Sequence, residues 1–201
     1  MQQPDFSPAA DRNKQHILEV LTKALPEHGK ALEIASGTGQ HVTWFAAALS
    51  GWTWQPSDNQ PAALASTAAA IAQQGPGNVL MPLRLDVLAP LWLAATEKFD
   101  LIYCANMLHI APWQTCAALM QGSKRHLARV GRLVTYGPYL EHGVPTSEGN
   151  LAFDRSLRQQ NPDWGIRQLE KVQAQAARAG LKLTDRHPMP ANNLLLVWTP
   201  Q

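Results

Sequence analysis

Residues 31–41 read ALEIASGTGQH, and this stretch decides the fold. A short apolar run ends at a turn of small residues, and an alanine-rich helical pattern over 42–49 follows at once. Gly37 and Gly39 suit such a turn because glycine takes positive φ at little cost and lets a ligand approach the backbone. The helix behind the turn directs free N–H groups and a partial positive charge toward a ligand above it. This order of strand, tight loop and helix predicts a Rossmann-like nucleotide-binding fold.

Length and charge restrict the classes of protein that fit. The 201 residues, of which 45% are hydrophobic and 16% charged, predict one globular domain over 1–201. A net charge of +2, from 17 basic against 15 acidic residues, gives little field for gripping a phosphate backbone. Nucleic acid is therefore disfavoured as the main partner.

Cysteines, histidines and apolar stretches indicate neither a metal site nor a membrane span. Cys104 and Cys116 lack metal-ligand spacing, which favours two reduced, buried thiols, and the seven histidines show no ligand spacing either. Residues 1–14 hold no basic region followed by an apolar run, so we expect no secretory signal. The charge-poor stretches 59–83 and 101–123 are broken by proline and polar residues, so we expect a cytoplasmic protein without membrane spans.

Strand and helix patterns alternate along most of the chain, after a polar, proline-bearing segment, 1–10, that predicts a flexible arm. Helices are predicted over 11–25, 40–49, 62–74, 91–96, 112–127 and 166–179, and strands over 31–35, 52–56, 79–85, 99–105, 132–136, 181–186 and 194–199, with a long charge-mixed segment over 141–155. Unbroken apolar strands predict a parallel sheet. The loop 188–193 is too short for a parallel crossover, so the last two strands must be antiparallel. We therefore predict an α/β fold: a Rossmann-like, seven-stranded, mostly parallel sheet with an antiparallel C-terminal hairpin and helices on both faces, as in class I methyltransferases.

The glycine loop decides between nucleotides. A dinucleotide fingerprint, GxGxxG, requires a third glycine where this chain has Val42, which argues against a nicotinamide oxidoreductase. A P-loop is also excluded, because no Gly-Lys-Ser/Thr follows. What remains is an acid, Glu33, before a loop with two glycines, which resembles the loop of S-adenosylmethionine enzymes. The common form of that loop has another glycine where this chain has Ala35.

Carboxylates follow two further strands. Asp58 ends the second predicted strand, where it can accept both ribose hydroxyls. Its alternative is a helix cap, but Pro61 at the first helical turn moves the cap to Asn59 or Gln60. Asp86 follows the third strand, where these enzymes often bind the adenine amino group, and its alternative is a solvated turn aspartate.

The acceptor side is predicted beyond the fourth and fifth strands. Asn106 can hydrogen-bond cofactor or acceptor, and His109 can take the acceptor's proton, although a packed loop histidine is the equal alternative. The turn from Tyr136 to Tyr139 predicts a wall of the acceptor pocket, with aromatic packing as its alternative. His109 and Tyr139 are the catalytic candidates.

Several long motifs carry a closer resemblance. The segments ALEIASGTGQH, WQPSD, CANMLHIAPW, YGPY, FDRSLRQQNPDWGIR and MPANN, in this order over 11–199, resemble the methyltransferase-like protein 26 family, whose acceptor is undefined. The resemblance implies S-adenosyl-L-methionine as cofactor, bound at Glu33, Gly37, Gly39, Asp58 and Asp86. The neighbouring residues Ala35, Ser36 and Asn106 complete the predicted cofactor site. Around the acceptor we place residues of the longer motifs together with one tyrosine: Asn13, Tyr136, Trp164, Arg167 and Asn192.

These patterns predict a methyltransferase that moves a methyl group to a small molecule by in-line displacement, without a metal. Arg167 and the Tyr136/Tyr139 pair are predicted to hold an anionic or planar acceptor. One alternative is a non-catalytic module that binds a partner protein, although such a module needs neither loop glycines nor strand-end aspartates. Another is a protein or RNA acceptor, which a basic stretch of the sequence could bind. The simpler interpretation of that stretch is a solvated helix end. That stretch comprises Lys124, Arg125, His126, Arg129 and Arg132.

Overall fold

The computed structural model describes residues 3–201. Strands and helices alternate through the first five strands, except that turns connect the third strand to the fourth. The strands are β1 (Gly29–Ile34), β2 (Trp52–Asp58), β3 (Leu83–Arg84), β4 (Phe99–Ala105), β5 (Leu127–Leu140), β6 (Arg167–Gln168), β7 (Leu181–Met189) and β8 (Asn193–Pro200). The helices are α1 (Pro8–Ala24), α2 (Gln40–Ala48), α3 (Pro61–Gln74), α4 (Gln114–His126), α5 (Glu148–Gln160) and α6 (Leu169–Arg178). Short 3₁₀ turns cover Met107–His109 and Pro190–Asn192.

The strand order confirms the predicted sheet. Seven strands lie in the order β3-β2-β1-β4-β5-β8-β7, and the two-residue β6 pairs with β5 off this path. The first five strands pair in parallel, whereas β8 is antiparallel to both β5 and β7. The order reverses between β1 and β4, which is where an open sheet of this kind forms a ligand crevice at its carboxyl edge.

Two apolar cores lie on opposite faces of the sheet, as alternating strand residues require. On β4, Ile102 and Cys104 belong to the core that also contains Leu119 of α4 and Val172 of α6. Leu101 and Tyr103 belong to the other core, with α1 and α2 residues such as Ile17, Val42 and Phe45. Both faces of the sheet are therefore covered by helices, as predicted.

The predicted N-terminal arm is wrong for residues 8–10, because α1 already begins at Pro8. The Oγ of Ser7 accepts from the backbone N of Ala10 at 3.2 Å and caps the helix, and proline suits a first helical turn. The backbone N of Ser7 donates to Oε1 of Gln40 at 2.6 Å, and that of Asp5 donates to Oγ of Ser66 at 2.8 Å. Met1 and Gln2 lie outside the described residues.

Three further elements differ from the prediction. The segment 91–96 forms turns instead of a helix, because six residues nucleate a helix poorly. The third strand shortens to Leu83–Arg84, since Pro82 removes a ladder donor. The segment 141–155 contains the start of α5, which Ser147 caps by accepting from the backbone N of Asn150 at 3.3 Å. Within residues 3–201 we find no helix long and apolar enough to cross a membrane.

Candidate functional site

A cavity of about 470 Å³ opens at the carboxyl edge of the sheet, where the strand order reverses. Its walls come from the ends of β1 and β2, the glycine loop, the start of α3, segment 85–88, the loop after β4 and Trp164. This volume falls in the range of small-molecule sites. Among the predicted cofactor residues, four line the cavity: Ala35, Gly37, Asp58 and Asp86.

The two loop glycines have different roles. Gly37, with φ of 57°, lines the cavity, and its backbone N donates to Oδ2 of Asp58 at 3.1 Å. Gly39, with φ of 78°, lies outside the cavity lining; a Cβ there would be 2.9 Å from the Cα of Thr67 on α3. Gly39 therefore allows α2 and α3 to approach closely, and its predicted contact with the cofactor stays a prediction.

Ala35 occupies a backbone conformation that favours glycine. Its φ is 58°, at the position where the common loop form has glycine. An L-residue in the left-handed region costs roughly 1–2 kcal/mol. Because Ala35 also lines the cavity, this strain lies directly at the candidate ligand site.

Both strand-end aspartates hold turns and face the cavity. The buried Asp58 accepts at Oδ2 from Gly37 and at Oδ1 from the backbone N of Gln60, at 2.9 Å. Asp86 is exposed and accepts at Oδ1 from the backbone N of Leu88 at 2.9 Å. An ionised carboxylate accepts about four hydrogen bonds, so both side chains keep acceptor capacity for a ligand. The N-cap of α3 is Gln60, as Pro61 indicated, and not Asp58.

Glu33 lies buried beneath the glycine loop. Only 2% of the residue is exposed, and its Oε2 has no hydrogen-bond partner among the described residues. Burial raises the pKa of Glu33 to about 8, the Asp58 charge adds to the rise, and a hydrogen bond from Ser36 opposes it. Ser36 itself accepts at Oγ from the backbone N of Ser57 at 3.0 Å, so it ties the loop to β2. Neither Glu33 nor Ser36 lines the cavity wall.

The loop after β4 carries Asn106, predicted to hydrogen-bond cofactor or acceptor, and His109, predicted to take the acceptor's proton. Asn106 has φ of 59° and donates its backbone N to the Tyr136 carbonyl at 2.8 Å. His109 is 1% exposed, and neither ring nitrogen has a partner among the described residues. Burial, together with the smaller effect of the Arg167 charge, lowers the pKa of His109 to about 3. A neutral, enclosed imidazole of this kind is a weak base, so the geometry agrees with the packed loop histidine.

The two predicted tyrosines, Tyr136 and Tyr139, lie within β5 and are buried. Tyr139 donates its hydroxyl to Oγ1 of Thr135 at 3.1 Å, and its ring meets the His109 ring edge-on at 6.1 Å. Burial raises the pKa of Tyr139 well above its usual range. Burial also raises the pKa of Tyr136, and a hydrogen bond with Asn13 opposes that rise. Tyr139 thus has the contacts of a core residue, which was the alternative to its catalytic role.

Two predicted acceptor residues hold the backbone instead. Arg167 donates Nε to the Leu108 carbonyl at 2.8 Å and Nη2 to the carbonyls of Ala111 and Asp163 at 2.5 and 2.8 Å. Asn192 accepts at Oδ1 from the backbone N of Ser147 at 3.0 Å and so joins the C-terminal hairpin turn to the start of α5. Trp164, in contrast, lines the cavity.

A buried polar chain behind the glycine loop was missed from the sequence. Nε2 of His41 lies 2.6 Å from Oδ1 of Asn13, and Nδ1 lies 3.3 Å from the Tyr103 hydroxyl. Burial lowers the pKa of His41 to about 4, so the imidazole is neutral. These contacts join α1, α2 and β4, which are distant in sequence, and no local spacing signals them.

Within residues 3–201 we find no group of three or more His, Cys, Asp or Glu placed to hold a metal ion.

Comparison with solved structures shows the same fold in proteins of distant sequence. An O-methyltransferase family protein from Burkholderia thailandensis matches with a TM-score of 0.79 and 14% identity, over 96% of this chain and 57% of that one. An O-methyltransferase family 2 protein from Planctomyces limnophilus, in complex with apigenin, matches with 0.74 and 19%, over 94% and 62%. CalO1, a calicheamicin biosynthesis methyltransferase with S-adenosylhomocysteine bound, matches with 0.73 and 15%, over 94% and 54%. This chain therefore spans little more than half the length of these proteins.

The family assignment comes from sequence. The family described as "Protein of unknown function (DUF938)" matches residues 4–200. That match covers nearly the whole chain, including the glycine loop, both strand-end aspartates and Trp164. The chain therefore belongs to the DUF938 family, and its fold is that of the class I methyltransferases.

Proposed function

We propose that this chain is an S-adenosyl-L-methionine-dependent methyltransferase that acts on a small-molecule acceptor. The observation that carries this proposal is the cavity at the carboxyl edge of the sheet. It brings together Gly37, Asp58 and Asp86, which lie at or just after the carboxyl ends of three successive strands in the chain. Topology places them at one crevice, and each offers the group that an adenosyl ligand requires.

The residues present fit the cofactor. Asp58 would accept from the ribose hydroxyls, and Oδ2 of Asp86, which accepts no hydrogen bond within residues 3–201, would accept from the adenine amino group. Apolar side chains such as Val87 and Met107 line the same cavity and suit a purine.

The chain's own residues would act mainly by positioning. The cofactor's sulfonium, when bound, supplies an electrophilic methyl group, so alignment of the acceptor with it is the principal requirement. Holding reactants in line can remove roughly 7–11 kcal/mol of a barrier. The two buried histidines, His41 and His109, have lowered pKa values of about 4 and about 3 and are neutral at pH 7. We therefore assign neither of them the role of general base and place the weight of catalysis on orientation.

The similarity to known proteins supports a small-molecule acceptor. Among structures with this fold, one holds apigenin and another acts in calicheamicin biosynthesis. The resemblance to the methyltransferase-like protein 26 family supports the same reaction class. In the basic stretch that could bind a protein or RNA acceptor, two of the five side chains are engaged within the fold. His126 is buried and stacks on Trp92 at 6.0 Å, and Arg132 donates to the Ala24 carbonyl at 2.5 Å.

Transfer of a labelled methyl group tests the proposal. The purified chain is incubated with methyl-labelled cofactor and a low-molecular-weight fraction of cell extract, and both labelled product and released S-adenosylhomocysteine are measured. We expect label in the small-molecule fraction, and none with Asp58→Ala. Tight binding of S-adenosylhomocysteine without any transfer, to small molecules or to protein and RNA, would instead identify a non-catalytic binding module.

A further inference from the structure

Trp164 joins the cavity from outside the parallel part of the fold. It follows α5, in the segment that leads to β6, and its half-buried side chain lines the same cavity as Asp58 and Asp86. Its backbone N donates to the Asn161 carbonyl at 3.0 Å, which closes a turn after the helix. The tryptophan is therefore presented by an ordered turn.

Hydrogen bonds fix this turn to the loop after β4. The backbone N of Gly165 donates to the His109 carbonyl at 2.9 Å. Arg167 bridges the same two segments, since it donates to the Asp163 carbonyl and to the carbonyls of Leu108 and Ala111. The backbone N of Ile166 donates to Oδ1 of Asp154 at 2.7 Å, which ties the same segment to α5. The position of Trp164 relative to the loop after β4 is thus set by several bonds before any ligand arrives.

The surroundings of Trp164 are apolar and partly exposed. The loop to which it is fixed contributes Ile110, Ala111 and Pro112 to the cavity wall, and Ile110 is 48% exposed. Leu88, from the segment that also carries Asp86, lines the cavity and is 44% exposed. An aromatic ring and two exposed aliphatic side chains around one carboxylate acceptor match a flat heterocycle with an amino group at its edge.

We propose that Trp164 stacks on the purine of the bound cofactor, with Leu88 and Ile110 enclosing it, and that Trp164 does not contact the methyl acceptor. This inference rests on the proposed function. It assigns to the segment between α5 and β6 a part in nucleoside recognition, in place of the acceptor role that the sequence indicated. Stacking of a base on an aromatic side chain makes binding roughly 5- to 150-fold tighter.

Calorimetric titration of two ligands tests the assignment. S-adenosylhomocysteine carries the purine and the amino acid, whereas 5′-methylthioadenosine carries the purine without the amino acid. We expect Trp164→Leu to weaken both ligands by the same factor, roughly 10-fold or more, and Trp164→Phe to stay within about threefold of the wild type. Trp44→Ala is the matched control, because Trp44 is an exposed tryptophan of α2 outside this cavity.

The outcomes separate the inference from the proposed function. If wild-type protein binds S-adenosylhomocysteine and Trp164→Leu binds both ligands as tightly as the wild type does, the stacking assignment is overturned and the proposed function stands. An equal loss in Trp164→Leu and Trp164→Phe also overturns it, since a phenyl ring stacks and an aliphatic chain does not. Absence of binding by the wild type overturns both. Circular dichroism of each variant confirms that losses reflect binding rather than unfolding.

Discussion

The two sides of the sheet's carboxyl edge use residues near the strand ends in opposite ways. On the side of β1 and β2, Gly37 and Asp58 hold the loop in shape and still line an open cavity. On the side of β5, the functional groups of Tyr139 and Arg167 are occupied by Thr135 and by backbone carbonyls, and His109 is enclosed. A polar residue after a strand therefore marks a ligand site only where the topology leaves a crevice above it.

The largest effect is expected from Asp58→Ala on ligand affinity. Loss of charged hydrogen bonds to two ribose hydroxyls costs about 3 kcal/mol or more, so binding of S-adenosylhomocysteine should weaken by at least about 100-fold. The variant also removes the acceptor of the Gly37 and Gln60 backbone N–H groups, which lowers stability modestly. Calorimetry measures the affinity. The affinity of Asp58→Asn, which keeps one acceptor oxygen, should lie between those of the wild type and Asp58→Ala. Unchanged affinity in Asp58→Ala would show that Asp58 does not bind the nucleoside.

Arg167→Ala should show the reverse pattern on the other side. The guanidinium holds three carbonyls, so we expect a loss of about 2 kcal/mol in the free energy of unfolding, measured by urea denaturation. Affinity for S-adenosylhomocysteine should fall by less than about 10-fold, because Arg167 does not line the cavity. Arg167→Lys, which keeps a single donor group, is the control. An Arg167→Ala protein of unchanged stability would contradict the structural role of these hydrogen bonds.

Glu33 links the nucleoside side to pH. Its folded pKa of about 8 exceeds its ordinary value of 4.5, so the folded chain keeps a proton that the unfolded chain releases. Stability from this group is therefore present at low pH and is lost as pH rises between 4.5 and about 8, by up to about 1.4 kcal/mol per pH unit. Glu33→Gln should remove that loss, so its stability advantage over the wild type should grow from acid to neutral pH.

Urea unfolding of both proteins at several pH values measures this difference. His41 and His109 act with the opposite sign, since their lowered pKa values make stability rise with pH up to about 6.5. Both histidines are present in both proteins, so their contribution cancels in the difference. Parallel stability profiles of Glu33→Gln and wild type would contradict the raised pKa.

The smallest effect is expected from Ala35→Gly. Glycine relieves the strain of φ at 58°, and we expect a gain of about 0.5–1 kcal/mol, reduced by the greater freedom of glycine in the unfolded chain. Gly37→Ala, two residues further along at φ 57°, should lose about 1 kcal/mol. Thermal unfolding of the pair measures both shifts. Destabilisation by Ala35→Gly would show that the Ala35 methyl group packs well enough to outweigh the strain.

Sequence patterns predicted the strands of the sheet and their directions well. The strand over 99–105 is β4 itself, and the antiparallel pair β7 and β8 followed from one short loop. Strand patterns also indicated where Glu33, Asp58 and Asp86 lie: Glu33 is in β1, Asp58 ends β2 and Asp86 follows β3. Local signals of this kind depend on residues a few positions apart, which is the distance over which a single sequence is informative.

Contacts between distant segments were not predictable in the same way. The Asn13–His41 pair joins residues 28 positions apart, and Arg167 reaches carbonyls more than 50 positions upstream. The residue type of Arg167 suggested an anion, but its surroundings supply carbonyl oxygens. Composition also hid α5, because its polar, charge-mixed sequence resembles a loop until the Ser147 cap is considered.

Titration of S-adenosylhomocysteine into the wild-type chain measures whether the cavity at the reversal of strand order binds an adenosyl cofactor. We expect a single site per chain with micromolar affinity, and no binding of NADH under the same conditions. Absence of heat with S-adenosylhomocysteine, or binding of NADH in its place, would show that the cavity is not an adenosyl-cofactor site.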